Sequence, residues 1–273
     1  MPAPFREPID LETATALDGA NGNYAIELND AWRLWGPSGG YLSAIALRAA
    51  GEVAALDRPV SFYCHFVRAP AFGLAEVNAR LLRPGRRSES IAVELHQDGK
   101  LMLTALVRTA APADGFDHQI GEAPDVPAPT DVAEFRWNGE GADDYTYWNN
   151  FERRATSGRW GVDGDLPIQR EWLRSLPIAR FENPFVDAAR PLMALDTYGY
   201  IAANRKYFNE RFVSPNLDTS AWFHDIGAQT DWLLIDHASP VAREGLIAVD
   251  GRVWSEDGVL VASGAAQLIQ ISG

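Results

Sequence analysis

Val60-Ser61-Phe62-Tyr63-Cys64-His65-Phe66 reads as a strand, and it is followed by Val93-Glu94-Leu95-His96-Gln97-Asp98-Gly99-Lys100-Leu101-Met102-Leu103. The same sequence of signals returns in the second half of the chain. Leu217-Asp218-Thr219-Ser220-Ala221-Trp222-Phe223 is followed there by Arg252-Val253-Trp254-Ser255-Glu256-Asp257-Gly258-Val259-Leu260-Val261-Ala262. Ser61 and Asp218 stand 157 residues apart, and Asp98 and Asp257 stand 159 apart. Two anchors that agree within two residues mark a duplicated unit, so the 273-residue chain divides into two halves of roughly 120 residues.

Working outward, each half follows one order of elements. Thr13 to Asp18 and Asn23 to Leu28 have the look of short strands separated by the turn Asp18-Gly19-Ala20-Asn21-Gly22. Trp35-Gly36-Pro37-Ser38-Gly39-Gly40 suits no regular element, and after it Leu42, Ile45, Ala46, Ala49 and Ala50 recur at helical spacing within Tyr41 to Ala55. Strands are expected at Pro59 to Val67, Leu74 to Leu82, Ser88 to His96 and Lys100 to Arg108, with Gln97-Asp98-Gly99 as a hairpin turn. Pro, Ala, Asp and Gly then dominate, which predicts a linker over 113–143 between an N-terminal unit, 1–112, and a C-terminal unit, 144–273. In the second unit Tyr145 to Ala155 and Gln169 to Arg174 are the opening strands. Pro191 to Asn204 is the helix, with Pro191 in its first turn. Strands follow at Leu217 to His224, Trp232 to His237, Gly245 to Trp254 and Val259 to Ile271. An antiparallel sheet wrapped around one helix, made twice, is an α+β architecture.

Composition narrows the chemistry. Hydrophobic residues make up 47% and charged residues 22%, an ordinary balance for a globular protein. The net charge of −13 argues against nonspecific nucleic-acid binding, which needs clustered cations. The longest apolar runs are too short for a membrane span, and the N-terminal residues lack a signal-peptide core, so a cytoplasmic protein is expected. Cys64 is the single cysteine, which excludes an internal disulfide and a thiolate zinc site. Asp236 and His237 are adjacent on a strand and face opposite ways, which argues against a metal site with His224. No metal or cofactor is expected.

The combination of Gly39-Gly40-Tyr41 opening a helix, Arg83-Pro84-Gly85, Leu217-Asp218 before Trp222-Phe223-His224, Trp232-Leu233-Leu234 with Ser239-Pro240, and Asp257-Gly258-Val259-Leu260-Val261-Ala262-Ser263 resembles the acyl-CoA thioesterase II (TesB-like) family. The resemblance implies a double hotdog fold, in which two helix-in-sheet halves pair within one chain. It also implies hydrolysis of an acyl-CoA thioester by a water that an Asp, a Ser or Thr, and a Gln orient together. On this sequence those positions fall at Asp218, Ser239 and Gln267. The family slot counted from the Asp257-Gly258 turn is Ala266, one residue before Gln267.

Thioester hydrolysis requires an activated water and donors for the carbonyl oxygen. Gly39, Gly40 and Tyr41, at a helix start, are the expected oxyanion and substrate-binding positions, because backbone N–H groups there lack partners. The basic turn at Arg83, Arg86 and Arg87 is a candidate seat for CoA phosphates, set against an ordinary solvated hairpin tip. Asp218 shares a strand face with Ser220, Trp222 and His224, which also fits a plain solvated face. Trp32, Trp35, Tyr41, Trp148, Trp160 and Trp222 are candidate lining for an acyl tunnel or plain core. A non-catalytic acyl or CoA-ester binding protein that lost the glutamine is the alternative function. A hydratase of this fold lacks support, since no paired Asp and His stand after a hotdog strand. Sheets of this kind can pair further along exposed edges, so a monomer and a homo-oligomer both stay open.

Overall fold

The computed structural model describes residues 7–136, 144–156, 166–207, 210, 212–225 and 230–272. After α1 (Leu11–Ala14), the first half contains β1 (Asp18–Ala20), β2 (Asn23–Leu28), α2 (Gly39–Val53), β3 (Pro59–Phe66), β4 (Gly73–Arg83), β5 (Ser88–Gln97) and β6 (Lys100–Ala110). The second half contains β7 (Phe151–Ala155), β8 (Ile168–Ser175), α3 (Pro184–Lys206), β9 (Phe212–Val213), β10 (Asn216–Phe223), β11 (Trp232–Arg243), β12 (Leu246–Ser255), β13 (Leu260–Ile269) and β14 (Ile271–Ser272).

One twelve-stranded antiparallel sheet runs β1-β2-β4-β5-β6-β3-β10-β13-β12-β11-β8-β7, and β9 pairs with β14 apart from it. Read from the middle outward, the two halves mirror each other, with β3 answering β10, β6 answering β13 and β5 answering β12. Both anchors of the repeat fall on equivalent places: the central pair, where Cys64 lies opposite Thr219, and the hairpins at Asp98-Gly99 and Asp257-Gly258. Each half is a hotdog, a sheet curled around its own helix, and the chain is a double hotdog.

Helix α2 is buried from Gly40 to Leu47 without a break. A surface helix would show one polar stripe; this one has the sheet on one side and α3 on another, so its apolar residues face every direction. Ser38 caps it, its Oγ accepting the Tyr41 N–H at 3.2 Å. At its far end the Glu89 carboxylate accepts from Ala55 N and Leu56 N, both at 3.1 Å.

Four expectations are corrected. Leu11–Ala14 is a helical turn that takes up the start of the strand expected over Thr13 to Asp18, because the Asp10 side chain accepts from Thr13 N at 2.8 Å and nucleates it. Thr146–Asn150 is a 3-10 turn, leaving Phe151–Ala155 as the strand. Helix α3 begins at Pro184, seven residues before Pro191, because Asn183 caps it by accepting from Phe185 N (2.9 Å) and Val186 N (3.3 Å). Pro191 therefore lies inside the helix, at the cost of one backbone hydrogen bond. Strand β11 runs past Pro240 to Arg243, a register shift between Ala238 and Val241 absorbing the residue without an N–H. Trp160 and the end of the expected linker, 137–143, lie outside the described residues.

Candidate active site

Asp196, in the middle of α3, is a carboxylate buried against the start of α2. Its Oδ1 accepts from Asn216 Nδ2 at 2.8 Å and from Thr219 Oγ1 at 2.9 Å, and the Gly40 N–H also donates to it. Asn216 Nδ2 further reaches the Asp196 backbone carbonyl at 2.9 Å and Thr219 Oγ1 at 3.3 Å. Burial pushes the Asp196 carboxyl up to about 6, and the hydrogen bonds from Thr219, Asn216 and Gly40 hold it from rising further. A carboxylate with that value exchanges a proton near neutral pH, as a general base must.

A bulge brings these partners together. Asn216 and Thr219 are three positions apart, so on a regular strand they would face opposite ways. The pairing of β10 with β13 shifts between Asn216 and Asp218, and the extra residue, Leu217, resets the alternation. Both side chains then point inward at Asp196. Next to them Thr197 Oγ1 lies 3.1 Å from Tyr147 Oη, which ties α3 to the segment before β7.

The glycines at the start of α2 are required by closeness. A β-carbon on Gly39 would sit 2.9 Å from both Asp196 carboxylate oxygens and 3.1 Å from Phe66 Cζ. On Gly40 it would sit 3.1 Å from Met193 Cα, where α2 and α3 cross. The first turn of α2 therefore lies directly on the carboxylate, its dipole favouring the charged form. The Gly40 N–H serves Asp196 and the Tyr41 N–H serves the Ser38 cap, which leaves the Gly39 N–H as the first-turn donor without a partner among the described residues. The Tyr41 ring points away, stacked on Trp32 (centroids 5.6 Å apart) with its hydroxyl donating to the Ala14 carbonyl at 2.7 Å.

Asp218, Ser239 and Gln267 do not come together. Asp218 and Gln267 are cross-strand partners on the outer face of the sheet, away from the helices. There Asp218 Oδ1 accepts the Gln267 N–H at 3.0 Å, supplying the acceptor that the bulge removed from the ladder. Ser239 is on β11, with β13 and β12 between it and β10, roughly 14 Å away at ordinary strand spacing. Its hydroxyl donates to the Ala248 carbonyl at 3.1 Å. Arg83, Arg86 and Arg87 stand exposed at the β4–β5 hairpin. That hairpin adjoins the C-terminal end of α2, where Glu89 caps, so the 15-residue helix puts about 22 Å between it and Gly39. Trp222 is 52% exposed on the outer face, while Trp32 and Tyr41 are core. Cys64 is buried beside Thr219, and burial pushes its thiol well up, so it is no nucleophile. Asp236 pairs outward with Arg170 at 2.9 Å while His237 packs inward.

Asp196, Asn216 and Thr219 are not among the positions that the sequence singles out. One signal is present: Asp196 is an acidic residue directly after the apolar run Leu192-Met193-Ala194-Leu195, on a helix that must be buried on several sides.

Residues 28–110 match the acyl-CoA thioesterase N-terminal domain and residues 121–269 match the acyl-CoA thioesterase C-terminal domain. The chain belongs to the acyl-CoA thioesterase family. Among solved structures it is similar to a conserved protein of unknown function with a hot dog fold from Alicyclobacillus acidocaldarius, at 20% identity, TM-score 0.84, covering 96% of this chain and 98% of that one. It is also similar to an acyl-CoA thioesterase II, TesB2, from Mycobacterium marinum, at 19% identity and TM-score 0.79, covering 96% and 98%. At these identities the likeness shows the shared fold. No curated protein matches the sequence.

Proposed function

We propose that the protein hydrolyses an acyl-CoA thioester to the free acid and CoA, with Asp196 as general base. The observation that carries this reading is a buried carboxylate, raised to about 6, held by Asn216 and Thr219 against the first turn of α2. Asp196 takes a proton from water as the water oxygen bonds to the thioester carbonyl carbon. The carbonyl oxygen becomes an oxyanion facing the Gly39 N–H and the positive end of α2. When the carbonyl re-forms, the carbon–sulfur bond breaks and the departing thiolate takes the proton back from Asp196. Asn216 and Thr219 position the carboxylate. In this reading Asp218 and Gln267 close a β-bulge, and the place of the glutamine near water is taken by Asn216.

The test is thiol release from a panel of acyl-CoAs by the wild type, Asp196→Asn and Asp218→Asn. Asp196→Asn is expected to lose roughly a hundredfold or more in kcat, and Asp218→Asn to stay within a few-fold of wild type. Equal rates for wild type and Asp196→Asn would overturn the assignment. Binding of CoA esters by a wild type that releases no thiol from any of them would favour the non-catalytic binding protein instead.

A further inference from the structure

The loop that leads into α2 carries an exposed aromatic residue on a rigid support, one helical turn of α3 away from Asp196. Arg33 and Pro37 form an antiparallel bridge, Leu34 N donates to Gly36 O at 2.9 Å, and Ser38 N donates to Trp32 O at 3.1 Å. Trp35 stands at the tip of this closed loop and is 51% exposed. Its ring meets Tyr200 edge to face, with centroids 5.3 Å apart. Tyr200 is one helical turn beyond Asp196 on α3, about 6 Å along the axis, so the Trp35 ring lies on the order of 11 Å from the carboxylate. Tyr200 is itself fixed, its ring 5.5 Å from that of Phe212.

On the other flank of the same loop the Arg33 guanidinium lies 4.3 Å over the Phe72 ring. It has no carboxylate partner among the described residues, in a chain whose net charge is −13. Arg68, in the neighbouring loop, is turned instead to the Leu101 carbonyl at 3.0 Å. A multiply charged anion approaching so acidic a protein needs a local cation, and Arg33 supplies one beside the Trp35 loop. A large ring exposed on a pre-formed loop suits a ligand contact, since binding there orders nothing new.

We propose that the Trp35 loop seats the phosphopantetheine arm of CoA. Trp35 and Tyr200 pack along the apolar stretch of the arm, and Arg33, braced on Phe72, pairs with its phosphates. The thioester at the end of the arm then falls at Asp196, one turn below. The inference rests on the thioesterase reading for its substrate and replaces the hairpin arginines, at the far end of α2, as the phosphate seat.

Calorimetric titration with CoA and with pantetheine, which lacks the phosphates, tests it without requiring turnover. Arg33→Gln is expected to weaken CoA binding roughly tenfold or more and to leave pantetheine unchanged. Trp35→Ala is expected to weaken both ligands by several-fold. The double variant Arg86→Gln/Arg87→Gln and the control Arg68→Gln should match the wild type. Thermal melting shows whether each variant is folded, and Trp35→Leu together with Arg33→Lys, which keeps the charge, serves if the loop variants melt early. Wild-type CoA affinity in Arg33→Gln, loss confined to the hairpin variant, or no CoA binding by the wild type would overturn the proposal. Intact CoA binding without hydrolysis would count against the catalytic reading alone, and hydrolysis indifferent to Arg33 and Trp35 against this one alone.

Discussion

Asp196 is charged in a place that disfavours charge, and its chemistry follows from that. With its carboxyl raised to about 6 by burial, the basic form is half present at pH 6 and nearly complete by pH 7. If it is the general base, kcat/KM should rise with unit slope below pH 6, bend near 6 and level off above it. Thr219→Val removes one of the hydrogen bonds that stabilise the charged form, so the bend should move to higher pH while Asp218→Asn leaves it in place. A pH–rate profile of the three proteins checks this, and a bend that ignores Thr219 would remove Asp196 from the role. At this scale the sequence was least legible. Asp218 drew attention because it sits on a readable strand. Asp196 lies inside a helix whose apolar neighbours made it look like a polar interruption, and nothing local announces that Gly39 covers it.

Elements were more legible than residues, and the errors have physical causes. The hairpin turns at Asp98-Gly99 and Asp257-Gly258 could be read because a left-handed backbone needs such residues: φ is +52° at Asp98, +69° at Gly99 and +79° at Gly258. The bulge at Leu217 could not. It carries no glycine or proline, and it changes which residues of β10 face Asp196. The start of α3 is hard to read because Pro191 resembles a first-turn proline, while the true cap, Asn183 before Pro184, lies eight residues earlier. The crossing of α2 and α3 gives the prediction at this scale. Gly40→Ala places a β-carbon 3.1 Å from Met193 Cα and 3.2 Å from its carbonyl oxygen, both backbone atoms that cannot swing aside. The helices must separate, at a cost of about 1–3 kcal/mol, and the Gly40 N–H must draw away from Asp196. Urea unfolding should show the loss and the thioesterase assay a parallel fall in kcat, whereas Gly115→Ala, where a β-carbon meets nothing within 4 Å, should leave kcat unchanged.

Over the whole molecule the two halves of the duplication differ at the positions that hold Asp196. The mirror partner of Thr219 in the first half is Phe62, and that of Asn216 is Pro59, so the equivalent place in the other hotdog carries no polar grip. The first half contributes the helix start and the second half the carboxylate, and both meet across the α2–α3 crossing. The repeat made this pairing legible even though the residues were not. The specialised second half also carries a second buried titratable group. His237 packs on Gly251, where a β-carbon would lie 2.2 Å from its Nε2, and neither ring nitrogen has a hydrogen-bond partner among the described residues. Burial pushes the His237 imidazole down to about 3. The unfolded chain therefore binds a proton at this histidine between about pH 6.5 and 3 that the folded chain refuses, and stability falls as pH drops through that window. Asp196 works in the opposite sense. Raised from 3.8 to about 6, it is protonated in the fold before it is in the unfolded chain, so its contribution grows as pH drops from about 6 to 4. Each slope is about 1.4 kcal/mol per pH unit, and between pH 6 and 4 they offset. Chemical unfolding at a series of pH values should then separate the variants from wild type in opposite directions. His237→Leu, relieved of the acid penalty, should lose less stability than wild type on going from pH 6 to 4. Asp196→Asn, which no longer gains from protonation, should lose more, and it should exceed wild type by up to about 3 kcal/mol at pH 7, where the buried charge is fully present. Parallel stability curves for all three proteins would mean that neither group is buried in the state the fold describes.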